Sequence, residues 1–367
     1  MGLRAWLWGE GRARAPHPAD LRSRGRSVDI GRAVLRPPRL LFALLPLGGL
    51  CGCGGSSGSN DGAGGASGVS SLGGLGQGGV AASALPYAPC SAESAVGQFV
   101  IELAPEFTRV GGKVSDATLP SQIPEELARE GECGLYRAVV STCQPACRVA
   151  FESCGPDAQC VPLPRAVDLG TITVLGMLVP LEMRANSVTN SYANPAQPVL
   201  PNPGFLPGAD LRIVTGGGDY PPFELRGWGV SALELGPDQI RVGAASPTAL
   251  AWQAPAAAGP ARMHVELNIN QHGSTNAWIA CDFPDTGFAE IPATLIDGLM
   301  GLGRSGFPTL TATRRTATSV DIESGCVDLL VVSEVAASVE VEGIISCNTS
   351  SMCPSGLSCL PVERFCE

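Results

Sequence analysis

"RMHVELNIN" (residues 262–270) alternates without a break: Met263, Val265, Leu267 and Ile269 fall on one side, His264, Glu266, Asn268 and Asn270 on the other. Successive side chains of an extended chain point to opposite faces, so a period of two marks a strand with one buried and one wet face. Shorter stretches of the same kind surround it: "GTITVLG" (170–176), "DLRIVT" (210–215), "SALEL" (231–235), "TALAWQA" (248–254), "AWIACDF" (277–283), "TLTATRR" (309–315), "VDLLVVS" (327–333) and "SVEVEGI" (338–344). Gly- and Pro-marked turns separate them, and only "IPATLIDGLM" (291–300) reads as a helix of any length. Short strands broken by turns, with a single helix, predict an all-β fold, a β-sandwich over residues 166–345 with an immunoglobulin-like or fibronectin-like pattern of adjacent strands.

Upstream, "GQFVIEL" (97–103) and "TRVGGKVSD" (108–116) read as two further strands, and "PEELAREG" (124–131) as one or two helical turns, with proline at the start, acids in the first turn and glycine at the end. Residues 133–160 then hold five cysteines in a loop-rich stretch that has little to bury. The expectation is a disulfide-rich β module over residues 86–165 and a small terminal cysteine knot over residues 346–367.

The N-terminal end has a different composition. Nine of the 24 basic residues and three of the 34 acidic ones precede residue 53, so the remainder carries 15 basic against 31 acidic side chains, a formal charge of −16. An acidic body without a basic stripe argues against nucleic-acid binding, which is driven by neutralising phosphates. The apolar run Leu40 to Leu50 has eleven residues, about half of the roughly 20 that a spanning helix needs. Behind an arginine-rich segment and ahead of small residues, it reads as a signal peptide covering residues 1–52, whose long n-region admits a start downstream at Val28 or Val34. Cleavage before Cys53 puts Gly52 at the position that needs a small side chain, so Leu50-Cys51-Gly52-Cys53 resembles a bacterial lipobox. The expected product carries lipid on Cys53, with the bilayer as its partner, and is held at the outer membrane or cell surface; plain secretion is the alternative. Residues 53–85, rich in glycine and serine, read as a flexible tether with a reach of roughly 30 Å.

Fourteen cysteines without a CxxC pair, and only three histidines, do not have zinc-site spacing. Disulfides in an exported chain account for them more simply. With Cys51 lost and Cys53 lipidated, twelve remain. Cys281 and Cys326 are isolated and expected to pair with each other; Cys347, Cys353, Cys359 and Cys366 pair among themselves; Cys90, Cys133, Cys143, Cys147, Cys154 and Cys160 form three more bridges with 15 connectivities open.

Motifs with chemical connotations have poor context. "GLGRSG" (301–306) matches a dinucleotide-binding pattern, but a helix precedes it and a strand follows, the reverse of what places a pyrophosphate at a helix N-terminus. "DTG" (285–287) has no second copy to complete an aspartic dyad. His264 and Glu266 share a strand face with His272 nearby, an arrangement that a metal could use but that solvated strand faces commonly show. Ser305 lacks the G-x-S-x-G elbow of a nucleophile. No catalytic residue, metal or cofactor is assigned. The binding candidates are Tyr220, Phe223 and Trp228 in "GGGDYPPFELRGWG" (216–229), an aromatic cluster in a chain that is 5% aromatic. They suit a carbohydrate or protein ligand, the competing reading being core packing.

Several stretches together resemble a family of uncharacterised predicted lipoproteins of myxobacteria and their relatives: "CQPACRVAFESCGPDAQCVPLP", "VDLGTITVLGM", "ACDFPDTGFAEIPATLI", "SGFPTLTATRRTATSVDIESGCVDL" and the closing cysteine motif. The resemblance spans most of residues 90–367 and implies export, anchoring and β architecture without an activity. The chain departs from it in the tail, where "NTSSM" replaces a more acidic stretch. The function expected is a non-enzymatic, membrane-anchored surface lipoprotein with a binding, adhesion or envelope-structural role; the alternative is an extracytoplasmic hydrolase of carbohydrate or peptide with an acidic site.

Overall fold

The computed structural model describes residues 85–118, 124–139, 141–148, 151–155, 157–196, 199–236, 239–256, 259–269 and 276–367. The signal peptide, Cys51, Cys53, nearly all of the tether and His272 lie outside the described residues. In chain order the elements begin with β1 (Ala95–Leu103), β2 (Thr108–Val114), β3 (Glu125–Glu130), β4 (Cys133–Arg137), β5 (Glu152–Cys154) and β6 (Cys160–Pro162). They continue with β7 (Ile172–Leu175), β8 (Leu181–Met183), β9 (Tyr192–Ala193), β10 (Asp210–Thr215), β11 (Glu224–Trp228), β12 (Leu235–Gly236) and β13 (Gln239–Val242). The last are β14 (Thr248–Trp252), β15 (Arg262–Asn268), β16 (Ala277–Pro284), β17 (Phe288–Ile291), the helix α1 (Ala293–Gly301), β18 (Thr309–Ile322) and β19 (Gly325–Val341). Among the described residues no helix is long and apolar enough to cross a membrane.

One large sheet organises the chain, in the order β3-β4-β16-β15-β18-β19-β1-β2-β9, with β13 beside the far end of β19. Its axis is the β18–β19 hairpin, paired continuously from Thr309↔Ser338 to Ile322↔Gly325. The first half of β19 pairs in parallel with β1 and the last four residues in parallel with β13. One face of the hairpin therefore serves two cores. Val327, Leu329 and Val331 pack with β1 and β2 against the four-stranded sheet β11-β10-β7-β8. Leu310, Ala312, Val339 and Val341 pack with β15 and β16 against α1 and the sheet β12-β14-β17. The result is a pair of sandwiches that share one long sheet, and the alternation at 262–270 is realised in β15, with Met263, Val265 and Leu267 in the second core. β19 is an uninterrupted apolar run at its middle because its other face is also covered: Leu330 and Val332, with Ala317, lie under Tyr87 and Val100.

Several expectations are corrected. "PEELAREG" is not helical but forms the edge strand β3, paired with β4 from Glu125↔Arg137 to Glu130↔Cys133, because ladder pairing outweighs weak local helix signals. "SALEL" is strand only at its last residue, and the two strands expected at 327–333 and 338–344 are one that ends at Val341, since β18 supplies partners as far as Ser338 and β13 from there to the end. No structural boundary falls between residues 165 and 166: β1, β2, β3 and β4 from the expected Cys-rich module are woven into the sheet of the sandwich, leaving only the β5–β6 hairpin apart.

All twelve cysteines of the described residues are bridged, but not all as expected. Cys281 and Cys326 do not pair with each other. Cys281 faces Cys133 across the β16–β4 ladder, 4.0 Å apart at Cα, and Cys326 joins Cys90 beside the start of β1. Isolation along the chain was a poor guide because antiparallel and parallel neighbours bring distant segments together. Cys143–Cys154 and Cys147–Cys160 staple the β5–β6 hairpin. Cys347–Cys359 and Cys353–Cys366 close the tail. That tail is docked: Gly306 N–H donates to the Glu363 carbonyl (2.6 Å), and a Cβ at Gly306 would collide with the Arg364 carbonyl. "GLGRSG" is thus the exit from α1 and the seat of the tail, and Ser305 within it is fully buried, its N–H on the Ile269 carbonyl (2.8 Å).

Candidate functional site

Where the two covering sheets meet, the shared sheet presents Arg314. On β18 the residues Leu310, Ala312 and Arg314 have the same parity, so an arginine points inward between the cores. Its side chain is 2% exposed and that of Asp285, in the turn after β16, is 4% exposed. All the donors are used. Nε donates to Asp285 Oδ2 (2.7 Å); Nη1 to Ser231 Oγ (2.8 Å) and the Ala232 carbonyl (3.0 Å); Nη2 to the Gln253 carbonyl (2.5 Å) and Asp285 Oδ1 (3.2 Å). Trp252 Nε1 donates to the same Oδ1 at 2.7 Å. The "DTG" stretch is therefore the carboxylate end of a buried ion pair, engaged by an arginine and a tryptophan rather than by a second carboxylate.

Above this pair lies a cleft of about 520 Å³, lined by Trp228, Ser231, Gln253, Pro255, Asp285 and Arg314 among others. Gly208, at φ +80°, sits against the indole, and a Cβ there would stand 3.2 Å from the ring. The floor is neutral in sum and offers acceptors and one hydroxyl: Asp285's remaining lone pairs, and Ser231 Oγ, which can donate onward because it accepts from Arg314.

The three aromatic candidates do not form one cluster. Tyr220 and Phe223 are half-buried against the first core. Phe223 has the parity of the inward Leu225 and Gly227, and its N–H donates to Thr215 Oγ1 (2.9 Å). Trp228, with the opposite parity, alone of the three lines the cleft. The sequence reading missed Arg314 and Asp285 as the floor. The available signal was the parity of "TLTATRR", which puts a charge on the apolar side of a strand.

His264 and Glu266 do lie together on the outer face of the large sheet. His264 is turned into a second, smaller cavity beside Asp282, its partner across the β15–β16 ladder, and Arg315. Guanidinium groups there disfavour a metal cation. Burial, and then the nearby Arg315 charge, pull the His264 pKa from 6.5 to about 3. The unfolded chain takes that proton near 6.5 and the folded chain near 3, so between these values the unfolded state binds more protons and stability falls as the pH is lowered. Urea midpoints measured from pH 7 to pH 4 are expected to show the wild type losing about 1 kcal/mol per pH unit relative to His264→Gln once below about pH 6. Buried Asp328 and the exposed Glu334, whose pKa values desolvation raises, act in the opposite sense but are common to both proteins and cancel in the difference. Parallel curves would show that His264 is protonated in the folded chain.

No family model matches the chain, and no curated protein matches it. Among solved structures it is similar to the FN1–FN3 domains of chicken CNTN1, at 10% identity over 62% of this chain and 71% of that one, with a TM-score of 0.17. At that score the similarity assigns neither topology nor function.

Proposed function

We propose that the protein is an exported, lipid-anchored binding module whose ligand is an uncharged, hydroxyl-bearing molecule of the carbohydrate class, seated in the cleft on Trp228. The observation that carries this reading is an indole wall over a buried floor in which every charge is already paired. A charged ligand would find no unpaired opposite charge on that floor, whereas sugar hydroxyls can donate to Asp285 and exchange hydrogen bonds with Ser231 while a ring face lies on the indole. The hydrolase reading is less well supplied, because Asp285, the acid in the cleft, is held by Arg314 and Trp252. Six closed disulfides support maturation in an oxidising compartment. The lipobox-like stretch ending at Cys53 supports the anchor, with the outer membrane or cell surface as its place.

The test has two arms. Intact mass of the chain extracted from membranes is expected to show an acylated Cys53 at the N-terminus. Neutral glycans screened on an array and followed by calorimetry are expected to bind at least tenfold more weakly to Trp228→Ala, about 1.4 kcal/mol, with Tyr220→Ala and Phe223→Ala little changed. Binding indifferent to Trp228, or no neutral glycan bound at all, would remove the cleft as the seat.

A further inference from the structure

The indole that walls the cleft offers a donor as well as a ring face. Three tryptophans stand among the described residues, and their N–H groups are placed differently. Trp252 Nε1 donates to Asp285 Oδ1 (2.7 Å), and Trp278 Nε1 is buried without a partner. Trp228 Nε1 donates to no group among the described residues, yet it is not shut in. A Cβ on the exposed Gly259 would have it, 3.8 Å away, as its one neighbour within 4 Å. The backbone that carries the ring is fixed. Trp228 pairs with Asp210 on β10, and its carbonyl accepts from Thr316 Oγ1 (2.9 Å), two residues along β18 from Arg314. Wall and floor of the cleft are therefore held by one strand.

The surroundings of this donor restrict what it can meet. Besides Trp228, Ser231, Asp285 and the paired Arg314, the cleft is lined by the exposed Gln253 and otherwise by glycine, alanine, valine and proline alone. A hydroxyl that accepted from the indole would carry its own hydrogen towards these apolar side chains, and a donor left unmatched there costs free energy. A carbonyl oxygen accepts and has nothing to donate. An acetamido group fits the whole lining: its carbonyl takes the indole N–H, its methyl has Ala254, Pro255 and Ala256 to lie against, and its own N–H has Asp285 and Ser231 Oγ as acceptors on the floor. Being uncharged, it leaves the Arg314–Asp285 pair undisturbed.

We infer, on the carbohydrate reading of the cleft, that the sugar taken there is N-acetylated and is selected over its hydroxyl counterpart by a hydrogen bond from Trp228 Nε1 to the acetamido carbonyl.

The test compares matched neutral pairs on the full purified protein by calorimetry: N-acetylglucosamine with glucose, and N-acetylgalactosamine with galactose, each as the monosaccharide and as its β-linked trimer. The members of a pair differ only in acetamido against hydroxyl. In at least one pair the acetamido member is expected to bind about tenfold more tightly, the upper end of what one neutral hydrogen bond contributes. Trp228→Phe keeps a ring face and removes the N–H, so the preference should fall to about twofold or less, whereas Trp228→Ala weakens both members. In the wild-type spectrum, the indole N–H resonance that Trp228→Phe abolishes should move downfield when the acetamido sugar is added. Equal binding within every pair, a preference that survives in Trp228→Phe, or array binders that all lack an acetamido group would overturn the assignment while leaving the cleft a site for neutral sugars. If no neutral glycan binds at all, the carbohydrate reading falls and the acetamido assignment with it. The matched pairs are measured on the wild-type protein, so they decide even if a variant fails to fold.

Discussion

Replacing Arg314 by methionine is expected to lower the unfolding free energy by about 3–5 kcal/mol, the cost typical of breaking a buried ion pair from one side. The size follows from what is stranded. Asp285, only 4% exposed at the floor of the cleft, keeps Trp252 as its remaining donor from the floor, and the carbonyls of Ala232 and Gln253 lose Arg314 as a partner. These groups come from three separate segments, which Arg314 ties to the shared sheet at the seam between the two cores. Lysine in its place keeps the charge but not the planar fork, so Arg314→Lys should recover only a small part of the loss. The double variant Arg314→Met/Asp285→Leu removes the orphaned carboxylate and should cost less than Arg314→Met alone. Urea unfolding with an unchanged slope reads all three. A cost below about 1 kcal/mol for Arg314→Met, against the range expected for buried pairs, would mean that water enters the seam and hydrates Asp285.

The same residue shows how far the fold and the site could be read in advance. The period of two at 262–270 identified β15, its buried face and the all-β class, because alternation is a local consequence of the pleat. The helix at 291–300 was legible from its length and apolar content, and α1 lies there. β3 was not: a proline, acids and a glycine signal a helix start and stop locally, whereas the strand exists through pairing with β4, itself bridged to β16 by Cys133–Cys281. The parity of Leu310, Ala312 and Arg314 was on the page, but what an inward arginine meets depends on Asp285 and Ser231, brought there by chain paths that no local pattern encodes. His264 illustrates the converse. Its strand face was rightly read as the polar one, yet residues 85–91 lie over that face and turn a wet histidine into a half-buried one whose Nδ1 is out of reach of solvent. Of the aromatic trio, composition alone marked a cluster; strand parity separates Trp228 from Phe223 and leaves one residue for the cleft.

Removing the two long bridges is expected to cost far more than removing the short ones. Cys90–Cys326 and Cys133–Cys281 close loops with sequence separations of 236 and 148 residues, against 11 for Cys143–Cys154 and 13 for Cys147–Cys160. In the chain-entropy description the stabilisation grows with the logarithm of loop length, giving about 5 kcal/mol for loops of the first size and about 3 kcal/mol for the second. The long bridges are nested, so they are not independent. With Cys133–Cys281 intact, the unfolded path from Cys90 to Cys326 is shortened to 88 residues, the difference between the two separations. Deleting the outer bridge alone, as Cys90→Ala/Cys326→Ala, should then cost about 4.5 kcal/mol. It should also loosen residues 85–91 over the cavity at His264, seen as faster protease cleavage near Tyr87 in the folded protein. Deleting both long bridges should cost nearly 10 kcal/mol by the same relation, as much as many domains have in total, so that variant is expected not to fold. Equilibrium unfolding of the single-bridge variants checks the ordering. Equal costs for long and short bridges would show that β1 and β19 stay associated in the unfolded chain, so that the covalent link has little entropy left to remove.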